Sequence, residues 1–431
     1  LMNRLSILIF IYSKRIICVK ISVILIGSER LPTAWRIPMT VLFYRYNNIC
    51  EPDIINTFRE LGMEVVEKTV SAAEKEASAA RRIELLSDTL RKIHPVFVFS
   101  INFFPILADL CSIHQTFYLC LTVDSPVLEL FSKSILHPTN RIFMFDRSQY
   151  DYFHPFNPDC IFHLPLAVNG KRFAKATAGV TADDQAKYGH DVSFVGSLYT
   201  EHNPFHTIPA LPDYTAGYID AITEASLKIY GYNFMEESLT DGIIESIRRA
   251  DNTLFSFSGT VKDASRYIAA HHYIGMQASE TERIRTLNTL AEHFDVHLYT
   301  GSGTACLQNV HIHGKINSFH EMPKVFFLSK INLNITIRPI QTGLPLRIFD
   351  ILGCGGFLMT NYQPELSEHF IIGTDLEAYG SLEELTEKCA YYLSHEEKRR
   401  QIAKNGQQKA VQNHSWQKRL TEILRTVTNS I

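Results

Sequence analysis

The chain has 431 residues, 45% of them apolar and 20% charged, a balance that excludes a disordered chain and leaves apolar mass for roughly two to three domains of about 150 residues. The formal net charge of −3 argues against a dedicated nucleic-acid binder. That charge is uneven: residues 1–38 carry Arg4, Lys14, Arg15, Lys20, Arg30 and Arg36 against Glu29, so this prefix is +5 and the remainder is −8.

Within the prefix, residues 5–27 are apolar, but Lys14, Arg15 and Lys20 cut the run into pieces too short for a membrane-spanning helix. A basic start followed by an apolar stretch loosely suits a signal peptide, yet no small-residue cleavage site follows. Met39 directly precedes the apolar run 40–44, so the working chain is expected to begin there, with residues 1–38 outside the fold. Eight cysteines are scattered without a C-x-x-C pair. This favours free thiols and a cytoplasmic location over a disulfide or zinc framework.

From Met39 on, short apolar runs alternate with helical segments. Strands are expected at 40–44, 63–67, 95–102, 116–123, 141–146 and 160–166, several of them continuously apolar and therefore covered on both faces. A helix from Glu51 to Leu61 ends at Gly62. Another, over 72–92, should turn Ile83, Leu85, Leu86 and Leu90 inward. This alternation predicts an α/β domain with a doubly wound parallel sheet over 39–180. A second set, at 192–198, 296–300, 310–313, 331–337, 356–361 and 370–374, predicts a second such domain over 191–413. The boundary is expected within 169–190. The 97 residues between Leu198 and Val296 far exceed a single crossover, which places a helical insertion at about 203–292. A terminal helix follows over 414–431, led by His414, Ser415 and Trp416.

The chemistry concentrates in 331–361, INLNITIRPIQTGLPLRIFDILGCGGFLMTN. A strand ends near Ile337, a loop carries Arg338, Thr342 and Gly343, and a helix runs from about Pro345 to Leu352. A helix start at the carboxyl end of a parallel strand offers free N–H groups to a phosphate. Arg338 and Arg347 could reach a diphosphate, and Asp350 could accept hydrogen bonds from ribose hydroxyls. Equally, Arg347 and Asp350, three residues apart, could simply pair on the helix surface, and Gly353–Gly356 could be only a tight connection.

On Gly343-Leu344-Pro345, Asp350 and Cys354-Gly355, this segment resembles the C-terminal signature of GT-B-fold glycosyltransferases. It is similar in particular to the bacterial CgeB-like spore maturation glycosyltransferases. The likeness extends through FYRYNNICEPDII (43–55), FSINFFPI (99–106), TVDSPVLELFSKS (122–134), FVGSLYT (194–200), TERIRTLNTL (281–290) and EMPKVFFLSKINLN (321–334), covering Met39 to Leu424. It implies two Rossmann-like domains facing across a cleft and a retaining hexosyl-type transfer from a nucleoside diphosphate sugar. It further implies a terminal helix that crosses back to the first domain. Asp350 falls on the acid that binds the donor ribose. Thr342 stands where the first acid of the usual E-x7-E pair would, a departure in how the sugar hydroxyls are held. Gly196-Ser197 resembles the phosphate-side glycine loop, and is also an ordinary βα turn. No D-x-D occurs anywhere, so the diphosphate is expected to be held by backbone dipoles, Leu344 and its neighbours, and basic side chains, with no metal and no cofactor.

Two patterns are set aside. Gly301-Ser302-Gly303 starts like a dinucleotide fingerprint, but Cys306 takes the third glycine position and no helix fits before Val310. His311 and His313 share a strand face without an evident third ligand, and His271-His272 lies in the insertion. On the acceptor side, Asp124 follows the run 116–123 and Asn102 ends the run 95–102, both at strand carboxyl ends; Glu51 opens a helix, where a carboxylate also has a purely structural role. Asp124 is the leading candidate to orient or deprotonate an acceptor hydroxyl. The expected function is therefore glycosyl transfer to an unidentified glycan, protein or small-molecule acceptor. A non-catalytic nucleotide-sugar or glycan binder and a GT-B nucleotide-sugar epimerase are the rivals.

Overall fold

The computed structural model describes residues 39–71, 76–255 and 259–429. The prefix 1–38 and the first four residues of the expected 72–92 helix lie outside the described residues. The chain divides into two compact units, one made of the residues up to Pro165 together with Trp416 onward, the other of Leu166–Ser415.

The first unit contains six parallel strands: β1 (Thr40–Arg45), β2 (Glu64–Thr69), β3 (Phe97–Ile101), β4 (Phe117–Leu121), β5 (Asn140–Met144) and β6 (Ile161–His163). Their order is β2-β1-β3-β4-β5-β6. Every residue of β3, β4 and β5 is buried, as central strands covered on both faces require, including Asn140 and Arg141 at the start of β5. The helix Glu51–Glu60 is closed by Gly62 at φ +83°, a conformation only glycine adopts freely. The next helix is Ala79–Ile93, whose N-terminal Arg81 amide is capped by the Ser78 hydroxyl. Its inward stripe is shorter than the sequence suggests: Leu86 and Leu90 are buried, but Ile83 is 44% exposed, so the apolar face engages only toward the carboxyl half of the helix. The terminal helix Trp416–Asn429 buries Trp416, Leu420, Ile423, Leu424 and Val427 and packs on Glu51–Glu60. Arg419 Nε ties it to the Pro165 carbonyl at 2.8 Å.

The second unit holds β7 (Val192–Val195), β8 (Val296–Tyr299), β9 (His311–Ile312), β10 (Ile331–Asn334), β11 (Leu358–Asn361) and β12 (Glu377–Tyr379). All pair in parallel in the order β12-β11-β10-β7-β8-β9. Counted from β7 this is the dinucleotide-fold order 3-2-1-4-5-6, whose switch point lies between β7 and β10. Helices fill the span between β7 and β8, among them Asp213–Ser226, Asp241–Ala250 and Gly275–Ala291. The core joins Val192, Phe194, Leu298, Leu333 and Met359 from the sheet to Leu287 and Leu290 from the last of these helices. The expected strand at 370–374 is absent; β12 begins three residues later. Gly373 at φ +80° turns the chain, the Asp375 carboxylate accepts from the Ile371 amide at 2.8 Å, and Ile371 stays exposed.

The Gly353–Gly356 turn is built for close packing. Gly355 has φ +80°. A Cβ on Gly356 would come within 2.4 Å of the Phe326 carbonyl and 2.8 Å of Asn332 Nδ2. Gly356→Ala is therefore expected to destabilise the protein by about 1–3 kcal/mol, read as a lower chemical-denaturation midpoint; an unchanged midpoint would show that β11 can shift to make room.

Candidate active site

The carboxyl ends of β7 and β10, flanking the switch point, are joined by one buried side chain. Arg283, on the helix Gly275–Ala291, donates from Nη1 to the Ser197 carbonyl and from Nη2 to the Ile335 carbonyl, both at 2.6 Å. Its guanidinium also lies over the rings of Tyr199 (4.7 Å) and Phe194 (5.4 Å). Its Nε has no hydrogen-bond partner among the described residues. Burial pulls the guanidinium below its ordinary pKa; Tyr199 and Glu282 oppose this, while the positive charge of Arg347 adds to it. Two arginines thus share a field at the strand ends, which suits an anion. Sequence reading missed Arg283, although a signal exists. It is in helical register with Thr286, Leu287 and Leu290, all fully buried, so a charged residue occupies the inward stripe.

The helix after β10 is Leu346–Gly353, with Pro345 at its N-cap rather than inside the first turn. Arg347 Nη1 donates to Asp350 Oδ2 at 3.2 Å and lies 2.9 Å from Met322 Sδ, with its guanidinium over Phe326. The pairing considered from the sequence is therefore present, with Asp350 buried and Arg347 half-buried. Gly343 and Leu344 are buried in the loop before this helix.

Arg338 has a different setting. Its Nε donates to Glu282 Oε2 at 2.8 Å, its Nη1 to the Ile229 carbonyl at 2.9 Å, and its guanidinium rests over Tyr230. Burial works against the charge, but the Glu282 carboxylate beside it prevails and holds the group above its ordinary pKa. Arg338 walls a shallow, open recess shared with Tyr230, Asn233, Gln341 and Asn361, at the carboxyl ends of β10 and β11. Its Nη2 has no hydrogen-bond partner among the described residues. Thr342 donates to Glu365 Oε1 at 2.8 Å, and its carbonyl accepts from the Glu365 amide at 3.2 Å. A buried carboxylate therefore stands beside the position where an acid was missing from the sequence motif. It arrives from 23 residues downstream, beyond the reach of any local pattern.

The Gly196–Glu201 loop after β7 is organised by hydroxyls. Ser197 Oγ accepts from the Tyr199 amide at 2.7 Å, and Ser302 Oγ accepts from the Leu198 amide at 2.8 Å. Ser197, Ser302 and Thr200 all donate to the Glu201 carboxylate at 3.0–3.1 Å. Burial resists ionisation of Glu201, but its own amide and these hydroxyls hold its pKa below the ordinary carboxylate value. The Gly196 amide is spent on the Tyr299 carbonyl. Ser302 belongs to the glycine pair set aside above. No helix follows it before β9, and its contribution is to brace this loop.

In the first unit, Asn102 and Asp124 come together. Asn102, at φ +55°, donates to Asp124 Oδ2 at 2.6 Å and to the Tyr46 hydroxyl at 3.0 Å, and its Oδ1 accepts from the Val123 amide. Tyr46, Asn102 and Asp124 follow β1, β3 and β4, at the carboxyl ends on either side of this sheet's own switch point. Crowding by protein pushes the Asp124 carboxyl above its ordinary pKa, and the Asn102 amide partly opposes this. Burial, reinforced by the Asp124 charge, raises Tyr46. Glu51 is fully buried and committed to Arg45 Nε (2.9 Å) and the Tyr46 amide (2.8 Å). It shapes the end of β1 and leaves Asp124 as the accessible acid of this group.

Two Rossmann-like sheets, with an arginine-clasped switch point in the second, invite comparison with enzymes of sugar transfer. Residues 282–425 match the family model described as "Glycosyl transferase-like". That segment, which holds Arg283, Arg338, Thr342, Arg347 and Asp350, is a glycosyltransferase domain. Across nearly the whole chain the fold is GT-B. A glycosyltransferase from Rickettsia africae superposes with a TM-score of 0.52 at 10% identity, covering 90% of this chain and 98% of its own. Anabaena HepE, in complex with UDP-glucose, gives 0.52 at 11% identity and covers 91% and 100%. Sucrose-phosphate synthase from Thermosynechococcus elongatus gives 0.51 at 10% identity, also covering 91% and 100%. No curated protein matches the chain in sequence. Among the described residues, no helix is long and apolar enough to cross a membrane. Every described cysteine is free, and all but Cys306 are buried.

Proposed function

We propose that this chain is a CgeB-like glycosyltransferase that moves a sugar, with retention, from a nucleoside diphosphate donor to an acceptor hydroxyl. The observation that carries the reading is the switch point of the second sheet. Arg283 joins the ends of β7 and β10, and the helix that follows presents Arg347 and Asp350. In this reading the loop Thr342–Leu344 and the two arginines receive the diphosphate, Asp350 accepts from the ribose hydroxyls, and Gly196 and Ser197 border the phosphate side. Arg338 shapes the recess beside them. Glu365, through Thr342, supplies the carboxylate for the sugar hydroxyls. Asp124, oriented by Asn102, serves the acceptor. The lack of any D-x-D in the sequence supports a diphosphate stabilised by side chains and backbone dipoles without a catalytic metal or cofactor. Free, mostly buried thiols support a cytoplasmic setting.

Because HepE is seen with UDP-glucose, uridine diphosphate sugars are the first donors to assay. Asp350→Ala should weaken nucleoside diphosphate binding about 10–100-fold, the equivalent of one or two charge-assisted hydrogen bonds, with the circular dichroism spectrum unchanged. Calorimetric titration that finds parental affinity in this variant removes Asp350 from the ribose role.

A further inference from the structure

A second cluster of ligating side chains lies away from the switch point, at the amino-terminal end of β8 and along the edge strand β9. His297 and His311 are aligned partners across the parallel β8–β9 pair, and His313 shares their face because alternate residues point the same way. Asp295 precedes β8 and reaches both imidazoles. Its Oδ2 is 2.9 Å from His297 Nε2, and its Oδ1 is 3.0 Å from His311 Nε2. The ligand atoms of Asp295, His297 and His311 all lie within 4.8 Å of one another. The sequence supplied His311 and His313 but hid the rest, because β8 and β9 become neighbours only through the sheet.

We propose that Asp295, His297 and His311 bind a divalent first-row transition ion, with zinc the best match to two imidazoles, one carboxylate and a water. Ligation through Nε2 requires the Nδ1–H tautomer, and the surroundings of His297 are arranged for it. His297 Nδ1 lies 2.7 Å from His313 Nε2, which accepts that proton and fixes the ring, as second partners of metal-bound histidines do. His190 stacks on His297, with centroids 3.6 Å apart and planes 12° from parallel. His190, His297 and His313 also bring one ligand atom each within 4.8 Å of one another, but that set lacks a carboxylate and is less open to an incoming ion, so the Asp295 set is the one proposed and His190 is assigned as a wall. Its own Nε2 is 2.7 Å from the Tyr299 hydroxyl. An ion held at about 2.0–2.1 Å from each ligand requires the three groups to spread by a few tenths of an ångström. Asp295 and His311, with side chains 49% and 61% exposed, can supply that movement.

The site clips a two-residue edge strand to its neighbour at the end of the sheet opposite the Gly196–Glu201 and Ile335–Leu344 loops. It is a structural clamp, and it does not depend on the glycosyltransferase reading. The test is calorimetric titration of the full chain, stripped with a chelator, with zinc ion and then with cobalt ion. One ion per chain is expected. His297→Ala and His311→Ala should each weaken binding at least about tenfold, and His313→Ala about 10–100-fold. His202→Ala, on the exposed surface, should bind as the parent does. His311 is exposed, so its variant keeps the test valid if His297→Ala fails to fold. Absence of saturable binding to the folded parent overturns the proposal. So does parental affinity in His311→Ala, or a loss seen with His190→Ala and His313→Ala but not with Asp295→Ala.

Discussion

Replacing Asp124 with Asn should lower kcat by about 10²–10⁴-fold while leaving nucleotide affinity at the parental level. That range is what a positioned general base contributes when it removes a proton in the transition state. Asn preserves the shape of the side chain and can still accept from Asn102 Nδ2, so the 2.6 Å contact that orients position 124 survives and only the basicity is lost. Nucleotide binding is assigned to the other unit of the chain, so its constancy is the control that separates chemistry from folding. The pH profile adds a second reading. A base works only when deprotonated, and the carboxyl of Asp124 is pushed upward by protein crowding. Activity should therefore decline, as pH falls, through a pKa above the ordinary carboxylate value, and Asp124→Asn should abolish that acid limb. An Asn variant with parental kcat, or with the same acid limb, would move the acceptor base elsewhere. Asn102→Ala is the companion variant: it frees Asp124 to rotate, and should lower kcat less than Asp124→Asn does.

How far such assignments could be read from the sequence depended on whether the partners were local. The strands β1, β3, β4, β7 and β10 are legible as short apolar runs, continuous in β4 and interrupted by serine or asparagine in β3, β7 and β10, and their carboxyl ends follow directly. Asp124 and Asn102 were thereby placed at strand ends, and the structure joins them by a hydrogen bond across 22 residues of sequence. Arg347 and Asp350, three residues apart on one helix, were also predictable as neighbours. What stayed hidden comes from distant segments. Arg283 meets Ser197 across 86 residues and Ile335 across 52, and Glu365 reaches Thr342 from the far side of β11. Arg338 is a further case of a hidden partner. It follows the strand as the sequence indicates, but its partner Glu282, contributed by the insertion, is 56 residues away and gives no local signal. The lost strand at 370–374 is of a third kind. Its composition is strand-like, yet Gly373 and the Asp375 side chain close a turn there, and local geometry overrides apolar content.

The last expected result concerns the hidden arginine. Arg283→Ala should destabilise the protein by about 2–5 kcal/mol, since two buried carbonyl oxygens lose their donors and a cavity opens between Phe194 and Tyr199. For a unit of this size, that lowers the thermal midpoint by roughly 5–15 °C. The loss should also be functional below the melting transition. Without the clasp, the loop after β7 and the loop after β10 are no longer held at a fixed separation, and a diphosphate that needs both should bind more weakly. Arg283→Met distinguishes the two contributions. Methionine refills most of the space but donates nothing, so a variant as unstable as the alanine one identifies the carbonyl contacts as the cause, whereas recovery of the midpoint identifies packing. Arg283→Lys can reach one carbonyl but not both in the planar, forked manner of a guanidinium, and should fall between the parent and methionine. If alanine melts with the parent and binds nucleotide as tightly, Arg283 has no part in holding the switch point, and the donor site must be organised by the Leu346–Gly353 helix alone.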